Sequence, residues 1–128
     1  MTTDANISQG PDQVDILAMV RDSDHFRRVV MTGEHLQVVL MTIAPGQEIG
    51  AETHEDHDQV LFFLDGKGQA VLDGELSDVR AGDLVFVHAG VHHNFVNNGD
   101  SPLRLVTAYA PPEHAPGTVH ATKADEQE

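Results

Sequence analysis

Cysteine is absent from the 128 residues of this chain. That excludes disulfides and thiolate metal ligands and makes the cytoplasm the expected location. Basic residues are scarce as well, with seven Lys and Arg against 21 Asp and Glu and a formal net charge of −14. Nucleic acid and anionic membranes bind through cations, so neither is expected as a partner. Much of the acidic excess falls at the two ends, where it serves solubility. No apolar run approaches the roughly 20 residues of a membrane-spanning helix. No basic-then-apolar leader opens the sequence, so secretion is not expected either. There is no internal repeat, no heptad pattern and no sign of a second domain.

What is present is a run of short apolar segments divided by turn residues. The polar stretch 1–11 is expected to be loose. Val14, Leu17 and Val20 have roughly helical spacing, which allows a short helix within Asp12–Val20. Segments Phe26–Thr32, Leu36–Ala44, Val60–Leu64, Gln69–Leu72, Leu76–Val79, Leu84–His88, His93–Asn97 and Leu103–Ala110 read as strands. Pro45-Gly46, Asp65-Gly66, Asp73-Gly74, Ala81-Gly82-Asp83 and Asn98-Gly99-Asp100 supply turns between them. With a further extended stretch at Glu52–His54 there are about nine strands, and the expected fold is an all-β antiparallel barrel or sandwich. Pro111-Pro112 stops the last strand. The expected organisation is a domain over 12–112 followed by a polar C-terminal tail over 113–128.

One stretch concentrates the chemistry. Between Gly46 and Gly66 stand Glu52, His54, His57 and Gln59. Glu52 and His54 are two apart and share one face of an extended strand. Gln59 returns on the next strand after the polar turn Glu55–Asp58, so three donors reach one point, with His92 or His93 available as a fourth. A solvated Glu52, a surface His54 and a structural hydrogen bond at Gln59 are the competing readings. If Gln59 faces inward with Leu61 and Phe63, its amide needs a partner. His57 could replace Glu52 in a shifted register. His88 either lines the mouth or ends its strand, and His25, His35, His114 and His120 carry no spacing signal.

The spacing resembles the two signatures of the cupin superfamily. Gly46, Glu52, His54, Gln59 and Gly66 follow the register of G-x5-H-x-H-x3-4-E-x6-G, with Glu52 in place of the first His and Gln59 in place of the Glu. Gly82, His88, Gly90, His93 and Asn97 follow G-x5-P-x-G-x2-H-x3-N, with His88 in place of Pro. The terminal YAPPEHAPGTVHATKAD is similar to the ends of small single-domain bacterial cupins described as mannose-6-phosphate isomerase-like.

The resemblance implies a cupin-type antiparallel β-barrel (a double-stranded β-helix, or jelly roll) and one divalent metal held by Glu52, His54, Gln59 and His93. Two imidazoles, a carboxylate and an amide suit Mn, Fe, Ni or Zn alike. The expected substrate is a small molecule, and the small number of basic residues argues against a phosphosugar. Three functions follow from the resemblance: a metal-dependent isomerase or tautomerase of a sugar-like or enolisable compound, an Fe(II) dioxygenase, and a non-catalytic binding protein. His57 is the first candidate for a general base, ahead of Glu55 and His88, because imidazole titrates near neutral pH. A homodimer is expected, with Phe26–Ala44 its likeliest contributor.

Overall fold

Alternation is cleanest in two long central strands, and it builds the barrel. In Asp58–Asp65, Gln59, Leu61 and Phe63 point inward while Asp58 and Phe62 face out. In Leu103–Ala110 the inward set is Leu103, Leu105, Thr107 and Tyr109. A period of two on antiparallel strands leaves one face for the core and one for solvent. The computed structural model describes residues 10–127. Of the stretch 1–11 expected to be loose, residues 1–9 lie outside the described residues, as does Glu128.

The described elements run in the order α1 (Ile16–Asp22), β1 (Arg27–Thr32), β2 (Gln37–Ile43), β3 (Glu52–Thr53), β4 (Asp58–Asp65), β5 (Lys67–Leu72), β6 (Glu75–Arg80), β7 (Leu84–Val87), β8 (His92–Val96), β9 (Leu103–Ala110), β10 (Val119–His120) and a 3-10 turn (Lys123–Gln127). One sheet has the order β10-β1-β2-β9-β4-β7 and faces a second of order β3-β8-β5-β6, every pairing antiparallel. Between them Val39, Met41, Ile43, Leu61, Phe63, Phe95, Leu103 and Leu105 form the core. Each such side chain contributes on the order of 1.5–3 kcal/mol when fully buried. The helix starts at Ile16, later than its spacing suggests, because the Asp15 carboxylate caps the Ala18 N–H at 3.2 Å. It lays Val20 on Val30 and Leu40, outside the barrel.

Register decides which polar residues meet. Gln37, Tyr109, Gln59 and Val87 form one row across the first sheet. Glu52, His93 and Leu72 form a row across the second. All of these but Glu52 and Leu72 are buried, so this end of the barrel is polar inside while the middle is apolar. At the other end Asn97 is buried, donating to the Ile43 and Ser101 carbonyls and accepting from Gly99 N–H. Gly66, at φ 87°, lies so close to the neighbouring strand that a Cβ would stand 2.3 Å from the Pro102 carbonyl oxygen.

The segment after Pro112 is polar, yet it is folded onto the barrel. Gln37 is fully buried, and its Oε1 accepts from the backbone N–H groups of Glu113 (3.1 Å) and His114 (2.9 Å). Its Nε2 donates to Thr32 Oγ1 (3.0 Å) and to the His114 carbonyl (2.7 Å). Farther on, β10 pairs with β1 at Arg27 and Arg28, covering part of the edge expected to meet a second chain. The Arg27 guanidinium, itself buried, binds Glu126 at 2.7 Å, and Lys123 Nζ reaches the Ile49 carbonyl at 2.7 Å. Burial alone would raise the Glu126 carboxyl, but hydrogen bonds from Arg27 and Lys123 outweigh it and hold the group below its ordinary value.

Two predictions follow from this clamp. Gln37→Met keeps the volume but strands two buried N–H groups, and should cost about 2–3 kcal/mol in urea unfolding, since each unsatisfied group costs about 1–3 kcal/mol. A loss below a few tenths would mean the tail does not depend on Gln37. The second concerns pH. Burial, with Arg27, His120 and His54 nearby, pushes the His114 imidazole down to about 4 from 6.5. The unfolded chain therefore binds more protons in that interval, and stability should fall as pH drops from about 6.5 to 4. His114→Gln should flatten that slope, and an unchanged slope would assign it to other groups.

Candidate metal centre

Strand β3, the turn after it and strand β8 deliver three side chains to one point. Glu52 pairs with His93 across the β3–β8 ladder, so the two stand side by side on the inner face. His54 lies just beyond β3 and brings its Nε2 to 2.9 Å from Glu52 Oε1. That approach is close but misaligned: His54 Nε2 is buried and makes no hydrogen bond. A nitrogen and a carboxylate oxygen this near but out of hydrogen-bond alignment can both turn toward one ion. The His54 and His93 rings stand 5.3 Å apart between centroids. Ligand atoms of Glu52, His54 and His93 all lie within 4.8 Å of one another.

His93 is held in one tautomer. Its Nδ1 lies 2.9 Å from the Val91 carbonyl oxygen, so Nδ1 carries the proton and donates it. The Nε2 lone pair is then left free, the arrangement a metal-binding imidazole needs. Phe95 and Asn97, on the same face, are buried with it.

Gln59 faces inward, and its amide is fixed at one end only. Nε2 donates to Thr107 Oγ1 at 3.0 Å, and the Thr107 hydroxyl donates onward to the Val60 carbonyl at 2.8 Å. Because that hydroxyl proton is committed to Val60, Thr107 can only accept from Gln59, which sets the amide's orientation. Gln59 Oε1 is buried and has no partner. A buried carbonyl oxygen without a donor is rare and costly. Glu52, His54 and His93 form a nitrogen and oxygen donor set that fits a divalent ion, and Gln59 Oε1, in the Tyr109 row of the facing sheet, is a buried oxygen still without a partner.

Around this set stand residues that pattern reading passed over. Tyr109, the chain's one tyrosine, is buried next to His54, with ring centroids 6.2 Å apart. Burial, reinforced by Glu52 and Glu113 against the opposing pull of Arg27, holds its phenol above the ordinary value. It remains a neutral hydroxyl at any physiological pH. Glu113 reaches in from the C-terminal segment, its Oε1 3.2 Å from His57 Nε2 and its Oε2 3.7 Å from His54 Nδ1. His57 sits in the turn before β4, with Nε2 also 3.3 Å from the Pro112 carbonyl. Inward polar residues on otherwise apolar strands, Gln37 and Thr107, were the available sequence signal. For Glu113 it was only the Pro-Pro that precedes it.

The other candidates lie elsewhere. His88 is exposed and stacks on Phe86, 4.5 Å between centroids, so it ends its strand on the outer surface. His92 points away from the centre and meets Thr53 Oγ1 at 2.8 Å. Glu55 is exposed.

Comparison with known proteins agrees with this architecture. The model of the family described as Cupin domain matches residues 39–109, more than half of the chain. The chain is similar to the uncharacterized protein YrkC of Bacillus subtilis (strain 168), 40% identical over 122 residues that cover 90% of this chain and 65% of YrkC. It is also similar to the polyketide synthase CurC of Streptomyces cyaneus, 27% identical over 81 residues, covering 63% of this chain and 53% of CurC. The chain thus spans less than two thirds of these curated relatives. The crystal structure of BH2720 from Bacillus halodurans superposes with a TM-score of 0.89 at 37% identity, covering 98% of both chains. With the family model matched over β2 to β9, and both signatures placed where the strands bring their residues together, this chain belongs to the cupin family.

Proposed function

We propose that this cupin is a metal-dependent isomerase or tautomerase of a small, enolisable, sugar-like compound. The observation that carries the proposal is the group Glu52, His54 and His93, whose ligand atoms lie within 4.8 Å of one another, and the buried, unpartnered Gln59 Oε1 on the neighbouring inner face supports it. These four residues would hold the ion. When bound, a divalent ion supplies Lewis acidity toward a substrate carbonyl or hydroxyl oxygen.

The protein's own groups supply the rest. His57 Nε2 donates its proton to the Pro112 carbonyl at 3.3 Å, with Glu113 Oε1 beside it at 3.2 Å, which leaves Nδ1 as the lone pair that would accept a substrate proton. Glu113 positions that ring and is itself fixed through its backbone by Gln37. Tyr109, kept neutral by burial, is a hydroxyl donor beside His54 for a second substrate oxygen. The Glu52 carboxylate offsets one charge of a divalent ion, which leaves the other for an anionic or polarised substrate.

A phosphorylated substrate fits less well. Of the seven basic side chains, Arg27 is bound to Glu126, Arg104 to Asp24 and Asp65, and Lys123 to Glu126. These pairs support a neutral or carboxylated substrate over the phosphosugar of mannose-6-phosphate isomerase-like proteins. A second reading has its own support: His54, His93 and Glu52 are also the two-histidine, one-carboxylate set of non-haem Fe(II) oxygenases.

The test is proton exchange in deuterated water, followed by NMR on enolisable sugars and sugar acids, with oxygen uptake recorded in parallel. His93→Ala should lose the ion and all exchange. His57→Ala should keep the tightly held ion and lose exchange by about 100-fold or more, the usual contribution of a general base. Oxygen consumption with Fe(II) and no exchange would transfer the site to the second reading. Ligand binding without either would make the protein a binding module.

A further inference from the structure

A second group of ligating side chains lies beside the first and shares one residue with it. Atoms of His54, His57 and Glu113 approach within 4.8 Å of one another. Only one side of the group is within hydrogen-bond range: His57 Nε2 and Glu113 Oε1 are 3.2 Å apart, whereas Glu113 Oε2 and His54 Nδ1 are 3.7 Å apart. Donors bound at about 2.0–2.2 Å to one ion stand roughly 3–3.5 Å apart at octahedral or tetrahedral angles. The 3.2 Å between His57 Nε2 and Glu113 Oε1 lies within that range, and the 3.7 Å on the other side lies just beyond it. The Pro112 carbonyl, 3.3 Å from His57 Nε2, offers a further hard oxygen.

The group is also held in place before any ion arrives. Gln37 fixes the backbone of Glu113 and His114, and the short turn between β3 and β4 fixes His57. The three side chains are only partly exposed, between 14% and 26%. With a net charge of −14, the whole molecule favours the approach of a cation.

We infer that His54, His57 and Glu113 form a second site for a divalent cation, weaker than the first and inhibitory. His54 would serve the first ion through Nε2 and the second through Nδ1. A neutral imidazole has one N–H, so bridging both ions releases that proton to solvent, and this cost makes the second site the weaker one. Occupation of His57 Nε2 takes the ring away from its part as the proton acceptor, so excess metal suppresses turnover. The inhibitory effect rests on the function proposed above; the binding site does not.

Metal-free protein titrated with Zn²⁺, with bound metal counted after equilibrium dialysis, separates the two. Wild type should bind two ions per chain in two phases. His57→Ala and Glu113→Gln should each bind one, with the tighter affinity unchanged within about threefold. Glu52→Gln and His93→Ala should remove the tighter phase and retain the weaker one. Circular dichroism on every variant reports whether the fold survives. One ion per wild-type chain that His93→Ala removes and Glu113→Gln retains, or two in both His57→Ala and Glu113→Gln, overturns the second site. A single ion lost on Glu113→Gln and untouched by His93→Ala would retain this group as a site and overturn the first.

Discussion

Everything at the functional end of this barrel follows from one constraint: polar atoms buried there must each find a partner. The middle of the sandwich is apolar and needs none. At the rim the inward positions are Gln37, Gln59, Tyr109 and His93, none of which can be buried cheaply unless its polar atoms are engaged. Gln37 solves the problem inside the chain, drawing the backbone of residues 113 and 114 onto its amide. Gln59 solves half of it through Thr107 and leaves Oε1 open. The two glutamines sit in one cross-strand row on either side of Tyr109. One builds the wall of the site, and the other keeps a buried oxygen without a partner.

That difference also explains the C-terminal segment. Its residues are polar and have no strand periodicity, so they look like a solvated tail. They are ordered by contacts made at a distance in sequence: Gln37 to His114, Arg27 to Glu126, Lys123 to Ile49. Buried Arg27 needs its Glu126 because an unpaired charge in that position would cost several kcal/mol. The segment thereby carries Glu113 to His57 and His54, and so contributes to the site it borders.

Much of this was legible beforehand because it depends on spacing. Glu52, His54 and Gln59 stand at fixed intervals across a strand, turn and strand, and the alternation of Val60 to Leu64 places Gln59 inward. Two motifs in register specified the fold. Glu113, Thr107 and Gln37 were not legible as a group because their importance comes from pairings of 48 to 77 residues in separation. The helix start was misplaced because apolar spacing gives the face, whereas the Asp15 cap gives the end. The role of β10 was missed because two residues are too few to show a period.

The proposal to test is that Gln59 Oε1, which has no partner, and His54 Nε2, which is misaligned with Glu52 at 2.9 Å, are both ligands of one ion. Crystals loaded with one equivalent of Mn²⁺ or Zn²⁺, measured at the metal's absorption edge, test it directly. The account predicts a single anomalous peak bounded by Glu52, His54, Gln59 and His93, with the Gln59 amide still donating to Thr107. An ordered water on Gln59 Oε1, with the loaded metal elsewhere, would contradict it.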